Sequence, residues 1–400
     1  MRRWRGAGIA LLLLLLSILM SACWDRVEID QRGFVAGVAI DKAGKKEESS
    51  QKRGNAPELI GTYQMLIPSG LRSGSGGKEA GTPGAAYFNL SVTERSLMAL
   101  TARMSAKTSR TPYFEHLQAI IISNEAVKDG RTDFADILDF FLRNNEMRRD
   151  INVLIADGNA KRLLSVKSMN ESYPVGYIDS AINNYTKTCY MRPESRIGYV
   201  HEQILKNVSF TIQKIDSYAD GISLTGAALF DTHHRFVGFL GGIETCGLNF
   251  LTGDVEGGVV EAELNGDIID YDIERATRKV KARRENGRYK FTIQIEAEGT
   301  IGKSIRLLDV TKLSSIRKME QLFAKEIVNL SEKTIKTLQK KYKKDAIGLG
   351  MYLYQNKRMS WNEISENWEE GKQLFTEADI EVKAEVKIRR LGNINQSERK

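Results

Sequence analysis

The sequence predicts a protein of α/β and α+β class, in which three domains built on mixed β-sheets packed by helices follow a cleaved lipoprotein signal peptide. Three observations predict this class. Apolar runs of strand length alternate with helical patterns from 33 to 166, the last third combines alternating strands with a long amphipathic segment, and the chain begins with a basic and then apolar leader. The 400 residues are too many for one hydrophobic core.

The leader has the pattern of a bacterial secretory signal. Three arginines within the first five residues precede an apolar run from Ile9 to Met20. This run is shorter than the roughly 20 residues that a membrane-spanning helix requires. We therefore expect cleavage before Cys23 after its thiol receives a diacylglyceryl group, although Met20 stands where lipoprotein signals usually carry Leu. An ordinary secreted protein and an uncleaved anchor are the alternatives.

The segment boundaries follow from shifts in composition and periodicity. Those boundaries are 1–22 for the signal peptide, 23–32 for a lipid-anchored linker, 33–199 for an N-terminal α/β domain, 200–265 for a small β-rich middle domain, 266–393 for a C-terminal α+β domain with a long amphipathic helix, and 394–400 for a tail.

The N-terminal domain is predicted from four apolar strands and the helices between them. The strands are Gly33 to Ile40, Leu59 to Ile67, Leu117 to Ser123 and Ile151 to Ala156. A capping box at Ser91-Val92-Thr93-Glu94 predicts that a helix starts there and runs to about Ser109. A second helix is expected from Phe134 to Leu142, where apolar residues keep a spacing of three and four. The segments 41–57 and 69–86 are expected to be loops.

The other two domains are predicted from hairpin and alternating patterns. A five-residue connection, 231–235, separates two short apolar strands in the middle domain. In the last domain, 289–296 and 380–389 alternate apolar with polar residues as strands with one wet face, and 316–342 has the spacing of a long amphipathic helix. Tyr352, Tyr354, Trp361 and Trp368 have spacings compatible with a helical core, and a ligand cage is the alternative.

The sequence contains no catalytic, cofactor-binding or metal-binding template. The patterns HExxH, EF-hand, phosphate loop and nucleophile elbow are all missing. His233 and His234 are adjacent on the predicted turn, so that a shared metal site would need ligands from elsewhere. Of three cysteines, Cys189 and Cys246 are left after the lipid-bearing Cys23, and whether they form a bridge stays open. The formal net charge of +8 is too diffuse to predict nucleic-acid binding.

Several motifs recur in a fixed order along the chain. They are Cys23-Trp24-Asp25-Arg26-Val27-Glu28-Ile29, Gly33-Phe34-Val35, Val38-Ala39-Ile40-Asp41, His116 with Ile120-Ile121-Ile122, Leu138-Asp139-Phe140-Phe141-Leu142-Arg143, Gly226-Ala227-Ala228-Leu229-Phe230, Val237-Gly238-Phe239-Leu240, Glu244-Thr245, Lys344-Asp345-Ala346-Ile347-Gly348-Leu349-Gly350, Trp361, Trp368 and Val386-Lys387-Ile388-Arg389-Arg390-Leu391-Gly392. Through them, nearly the whole chain after the leader resembles the Ger(x)C spore-germination lipoproteins, the C subunits of nutrient germinant receptors.

This resemblance implies a non-enzymatic subunit built from three α/β domains and attached through Cys23 to the outer face of the inner spore membrane. Its implied partners are an A-type subunit and a multi-spanning B-type subunit, and no cofactor is implied. Binding of a small-molecule germinant by this subunit stays open. Trp24, Asp25, Arg26 and Glu28, next to the anchor, are candidate interface residues. The alternative function is a lipid-anchored solute-binding protein that captures a small nutrient directly.

Overall fold

The computed structural model describes residues 29–44, 58–72, 84–128, 130, 132–168, 170–219, 221–264, 266–302 and 312–390. These residues form two β-sheets packed by helices. The first sheet contains β1 (Arg32–Lys42), β2 (Leu59–Leu66), β3 (Tyr87–Glu94), β4 (Thr111–Tyr113), β5 (Ala119–Ser123), β6 (Asn152–Ala156), β7 (Phe210–Tyr218), β8 (Gly221–Ser223), β9 (Ala227–Phe230) and β10 (Phe236–Leu240). The second sheet contains β11 (Gly258–Leu264), β12 (Asp267–Glu285), β13 (Arg288–Ile301) and β14 (Asp379–Arg390).

Helices connect the strands and cover the sheets. The α-helices are α1 (Pro68–Arg72), α2 (Leu97–Ser105), α3 (Asn124–Val127), α4 (Phe134–Arg143), α5 (Ala160–Leu163), α6 (Pro174–Ile182), α7 (Ile197–Lys206), α8 (Gly242–Thr252), α9 (Leu313–Lys336), α10 (Leu349–Asn356), α11 (Arg358–Ile364) and α12 (Leu374–Glu377). A π-helical segment, Thr337–Tyr342, follows α9 directly. No helix in the described ranges is long and apolar enough to cross a membrane.

The first sheet is mixed and is built around β1. Strands β1, β5, β6 and β7 run parallel, whereas β2, β3, β9 and β10 join them in antiparallel pairs. Val38 and Ile40 contribute to one core cluster, and Ala36 and Ala39 contribute to another. Because β1 is buried on both faces, its sequence is nearly all apolar, as is typical of strands inside a covered sheet. The prediction of a buried strand at this position is confirmed.

The second sheet consists of three antiparallel strands, β11, β12 and β13, extended by the parallel strand β14. Strand β12 pairs with β13 along almost its whole length, and β13 pairs in parallel with β14. The predicted alternation along β13 is confirmed, since Phe291 and Ile293 are buried while their sequence neighbours are partly exposed. The apolar stripe of α9, which includes Phe323 and Ile327, packs against the same core.

The capping-box prediction is wrong. Residues 91–94 form the end of β3, which pairs antiparallel with β2, and the helix begins three residues after this motif, at Leu97. The Ser96 hydroxyl caps α2 by accepting the N–H of Ala99 at 3.2 Å. The strand forms here because the sheet satisfies the backbone groups of 87–94 through long-range pairing, which a local capping pattern does not encode.

The predicted middle segment, 200–265, divides between the two sheets. Strands β7 to β10 extend the first sheet, and β11 begins the second, so that the segment has no sheet of its own within the described ranges. The hairpin predicted across 231–235 is confirmed by the antiparallel pairing of β9 with β10. The division into three domains stays a prediction, because sheet membership alone does not define folding units.

Candidate functional site

The predicted lipid-attachment residue and the candidate interface residues beside it fall outside the part of the chain that the structure describes. These residues are Cys23, Trp24, Asp25, Arg26 and Glu28. The described chain begins at Ile29, which is 74% exposed, and enters β1 at Arg32. The guanidinium of Arg32 lies 4.0 Å from the centre of the Tyr113 ring. His116, whose ring centre lies 5.2 Å from that of Phe34, packs edge-on beside this entry point.

The two sheets meet at a junction with a shared apolar core. Leu229 and Leu240, from strands of the first sheet, belong to the core cluster of the second. The Tyr342 hydroxyl, at the end of the π-helical segment, donates to the carbonyl of Phe239 at 2.6 Å. The Thr334 hydroxyl donates to the carbonyl of Glu244 at 2.9 Å, where α9 crosses α8. These contacts fix the position of the C-terminal helices against the first sheet.

A disulfide between Cys189 and Cys246 lies at this junction. The structure thus settles the pairing that the sequence leaves open, and it gives both cysteines a buried position.

Beside the disulfide, the guanidinium of Arg192 binds three acceptors. It donates to Asn249 Oδ1 at 2.5 Å, to the Thr252 hydroxyl oxygen at 3.3 Å and to Asp254 Oδ2 at 2.9 Å. Burial alone would raise the pKa of Asp254, but the charge of Arg192 and hydrogen bonds outweigh it and lower that pKa. The site therefore holds a compensated ion pair, which costs less to bury than a lone charge.

Asp345 organises the turn that leads into α10. Its Oδ1 accepts the N–H groups of Gly348 at 3.0 Å and Leu349 at 3.1 Å. Its Oδ2 accepts the N–H of Gly350 at 2.6 Å and the indole Nε1–H of Trp368 at 2.8 Å. Burial raises the pKa of Asp345, against the opposing effect of these four hydrogen bonds. A single buried carboxyl thus explains why an aspartate, a Gly-Leu-Gly turn and a tryptophan occur together.

Two glycines make this turn possible. Gly348 has a φ of +82°, in the left-handed region that glycine adopts without strain. A Cβ at Gly350 would lie 2.8 Å from atoms of both Trp361 and Trp368, so a larger residue would displace the indole rings.

Glu369 follows Trp368 in the sequence, and its side chain contacts a residue next to the first sheet. Its Oε2 accepts the hydroxyl of Ser209 at 2.5 Å, immediately before β7. The Lys344 ammonium lies 3.9 Å from the same oxygen but only 2.7 Å from Oε1 of Glu370. Burial, with the charge of Asp345, raises the pKa of Glu369 to about 8. The carboxyl is therefore mostly protonated at neutral pH.

A cavity of about 510 Å³ opens beside these carboxyl groups. The first sheet's side contributes the end of α7 and the turn between β9 and β10, while the second sheet's side contributes α10, α11 and the turn at Asp345. Trp361, Trp368 and Tyr354 line it together. Of these, Trp368 is buried, as expected for a core residue, but Tyr354 is 40% exposed at the cavity, unlike a core residue.

Sequence reasoning missed Asp345, Glu369 and Ser209 as site residues. Buried carboxylates are rare, and composition alone assigns such residues to the solvated surface. The one available signal was the motif from Lys344 to Gly350.

The adjacent histidines do not share a ligand position. His234 has a ring nitrogen 3.0 Å from the carbonyl oxygen of Ile204, whereas His233 is exposed and lines the cavity. Among the described residues, no group of three or more histidine, cysteine, aspartate or glutamate side chains is arranged to hold a metal ion.

Comparison with known proteins finds matches along almost the whole chain. The family model described as "Spore germination protein N-terminal domain" matches residues 25–216, and "Spore germination B3/ GerAC like, C-terminal" matches 225–392. Spore germination protein YndF of Bacillus subtilis (strain 168) is 25% identical over 95% of this chain and 95% of its own. Spore germination protein A3 of the same organism is 26% identical, over 94% of this chain and 95% of its own.

Spore germination protein B3, also of Bacillus subtilis (strain 168), is 24% identical over 94% of this chain and 96% of its own. The crystal structure of the GerBC protein superposes with a TM-score of 0.59 at 22% identity, covering 91% of this chain and 100% of that one. The structural match shows that the two chains share a fold.

Proposed function

This chain belongs to the spore germination B3/GerAC-like family, and from that premise we propose that it is a lipid-anchored, non-enzymatic subunit of a membrane receptor whose response to a nutrient germinant triggers spore germination. The observation that carries the proposal is the match of both family models, in order, from 25 to 392. The lack of any catalytic template in the sequence supports a binding or scaffolding role.

In this proposal the acyl chains on Cys23 hold the protein on the outer face of the inner spore membrane. The leader supports this, since a basic segment and an apolar run precede small residues and the cysteine. Trp24, Asp25, Arg26 and Glu28 would then lie at the membrane surface, where they are placed to contact a partner. The proposed partners are an A-type subunit and a multi-spanning B-type subunit.

The anchor is tested with Cys23→Ala in spores, and with Ser21→Ala as the matched control that keeps the thiol. We expect Cys23→Ala to leave the membrane fraction, to lose the mass of the lipid and to abolish germination through this receptor, while Ser21→Ala behaves as wild type. A Cys23→Ala protein that stays in the membrane fraction with an unchanged mass would refute the anchor.

The partners are tested separately by capture of the full chain from solubilised spore membranes. Recovery of a multi-spanning protein together with an A-type subunit is the expected result. Recovery of the chain alone, from a membrane fraction that contains it, would contradict the receptor proposal without affecting the anchor.

A second candidate function is a lipid-anchored solute-binding protein. The observation that favours it is the cavity between the two sheets, because about 510 Å³ lies within the range of small-molecule sites. Calorimetry of the detergent-solubilised chain against amino acids and sugars decides between the two functions, and a panel without any heat of binding would count against direct capture.

A further inference from the structure

The cavity between the two sheets has the size and the boundaries of a ligand site. Its volume of about 510 Å³ falls within the roughly 300–1,000 Å³ typical of small-molecule pockets. Leu205 and Val208, near the end of α7, face it from the first sheet's side, and Met351, on α10, faces it from the other. A ligand bound there would contact residues on the first sheet's side and residues on the second sheet's side.

Aromatic rings form much of the cavity wall on the second sheet's side. Trp361 and Trp368 both line the cavity, and their ring centres lie 6.1 Å apart with planes inclined at 69°. Trp368 is only 2% exposed, so Trp361 and Tyr354 supply most of the accessible aromatic surface. Tyr354 adds a third ring at the cavity, one face of which lies under the guanidinium of Arg358, 5.2 Å from its centre. Indole faces carry the strongest negative potential of the aromatic side chains, and they attract cations.

Carboxyl groups outnumber cations in the lining. Four acidic residues line the cavity, Asp345, Glu366, Glu369 and Glu370, against one lysine, Lys206. The ammonium of Lys206 pairs with Glu202 at 2.5 Å. Lys344, behind the lining, is paired with Glu370 at 2.7 Å.

The carboxyl groups of Glu366 and Glu369 differ in their exposure and in their ion-pair and hydrogen-bond partners. Glu366 is exposed and has no ion-pair partner among the residues that the structure describes. Glu369 is nearly buried, with 6% of its side chain exposed, and its Oε2 accepts the Ser209 hydroxyl. The cavity thus offers one free negative charge at its rim and one buried carboxyl further in.

We propose that this cavity binds a small organic cation, of the class of quaternary or alkyl ammonium compounds, between the aromatic side of the cavity, formed by Trp361 and Tyr354, and these two carboxyl groups. The rings supply apolar contact and cation–π attraction, and Glu366 supplies the counter-charge. The inference concerns only the ligand of this cavity, and it holds whether or not the protein is anchored or assembled with other subunits.

Binding of a cation should also displace a proton. Desolvation raises the pKa of Glu369 to about 8, and Asp345 opposes its ionisation from one side while Lys344 favours it from the other. Glu370 shares Lys344, and His233 and Lys206 lie across the cavity. A positive charge in the cavity would stabilise the carboxylate of Glu369 and release its proton at neutral pH.

The test uses two probes of nearly equal shape, choline and its uncharged carbon isostere 3,3-dimethyl-1-butanol, titrated calorimetrically into the full chain in nonionic detergent at matched ionic strength. We expect choline to bind at least about tenfold more tightly than the alcohol. Repeating the titration in buffers with different ionisation enthalpies should show proton release, and Glu369→Gln should abolish that release.

Substitutions of exposed residues at the rim of the cavity test binding without disturbing the folded structure. Glu366→Gln should weaken choline binding about fivefold without changing the thermal midpoint, because this side chain is exposed. The matched control is Glu363→Gln, a neighbouring carboxylate whose side chain is 67% exposed and which pairs with Arg284 outside the cavity; it should bind choline as wild type does. Equal affinity for the two probes, no binding of either, or an unchanged affinity in Glu366→Gln would each overturn the proposal.

Discussion

The indole of Trp368 donates its N–H to Asp345 Oδ2 at 2.8 Å, and the same carboxyl accepts three backbone N–H groups from Gly348, Leu349 and Gly350. One side chain therefore accepts four N–H groups, of which that of Gly348 also reaches the main-chain carbonyl oxygen of Asp345 at 3.4 Å. An unsatisfied buried donor costs about 1–3 kcal/mol, so we expect Asp345 to contribute strongly to the stability of the C-terminal helices.

Asp345→Asn should lower the free energy of unfolding by about 2–4 kcal/mol, because the new amide nitrogen would face N–H donors in place of an acceptor. Denaturant unfolding followed by tryptophan fluorescence measures the change. The matched control is Asp379→Asn, in which a surface carboxylate 3.3 Å from Lys290 loses its charge and the stability should change by less than about 1 kcal/mol. Similar losses in the two variants would contradict the role assigned to Asp345.

Glu369 should make the protein less stable as the pH rises. Its pKa is raised from 4.5 to about 8 in the folded protein, so that between these values the folded state holds a proton that the unfolded state has released. The free energy of unfolding should therefore fall across this window, by at most about 1.4 kcal/mol per pH unit from this group.

Glu369→Gln should flatten that part of the pH profile, because the amide does not titrate. The exposed residue Glu377 provides the control, and Glu377→Gln should retain the wild-type slope between pH 5 and pH 8. A Glu369→Gln profile that parallels wild type throughout would show that the carboxyl is ionised in the folded protein.

The disulfide between Cys189 and Cys246 should stabilise the junction by about 2–4 kcal/mol, since it closes a loop across a sequence separation of 57. The double variant Cys189→Ala/Cys246→Ala should therefore unfold at lower temperature and lower denaturant concentration than wild type. Dithiothreitol should lower the wild-type midpoint toward that of the variant and leave the variant unchanged. A reductant effect of equal size on both proteins would exclude this bond as its cause.

Gly247→Ala should disturb the crossing of α8 and α9. A Cβ at Gly247 would collide with the carbonyl oxygen of Leu330 and the hydroxyl of Thr334 on α9. We expect a loss of about 1–3 kcal/mol in the free energy of unfolding, as for other overpacked core sites. Gly221→Ala is the control, because its nearest neighbour would lie at 3.8 Å; equal midpoints for the two variants would show that α9 moves away without cost.

The strands were predictable where local pattern and tertiary environment agree. The apolar segment that became β1 and the alternating segment that became β13 each carry the signature of their burial, on two faces and on one face respectively. The pattern at Ser91 to Glu94 failed because a serine and a glutamate three residues apart also occur in a strand, whose pairing with β2 depends on residues far away in sequence.

The candidate site was less predictable than the fold. The spacing of Trp361 and Trp368 is visible in the sequence. Neither spacing nor composition shows that the buried carboxyl of Asp345 accepts the indole N–H of Trp368. They also do not show that Glu369 contacts Ser209, which is 160 residues away in sequence. The pairing of Cys189 with Cys246 was equally beyond prediction, since two thiols carry no information about their separation in space. Contacts of this range are properties of the topology and not of any local pattern.

The parallel pairing of β13 with β14 has a consequence for the order in which the chain folds. Residues 302–378 separate the two strands, so that the edge of β13 that pairs with β14 has no partner until β14 has been synthesised. Non-local pairing of this kind forms late and slowly. During folding, the hairpin of β12 and β13 would therefore pass through a stage with an open edge, at which chaperones or quality-control proteases have their best opportunity to act.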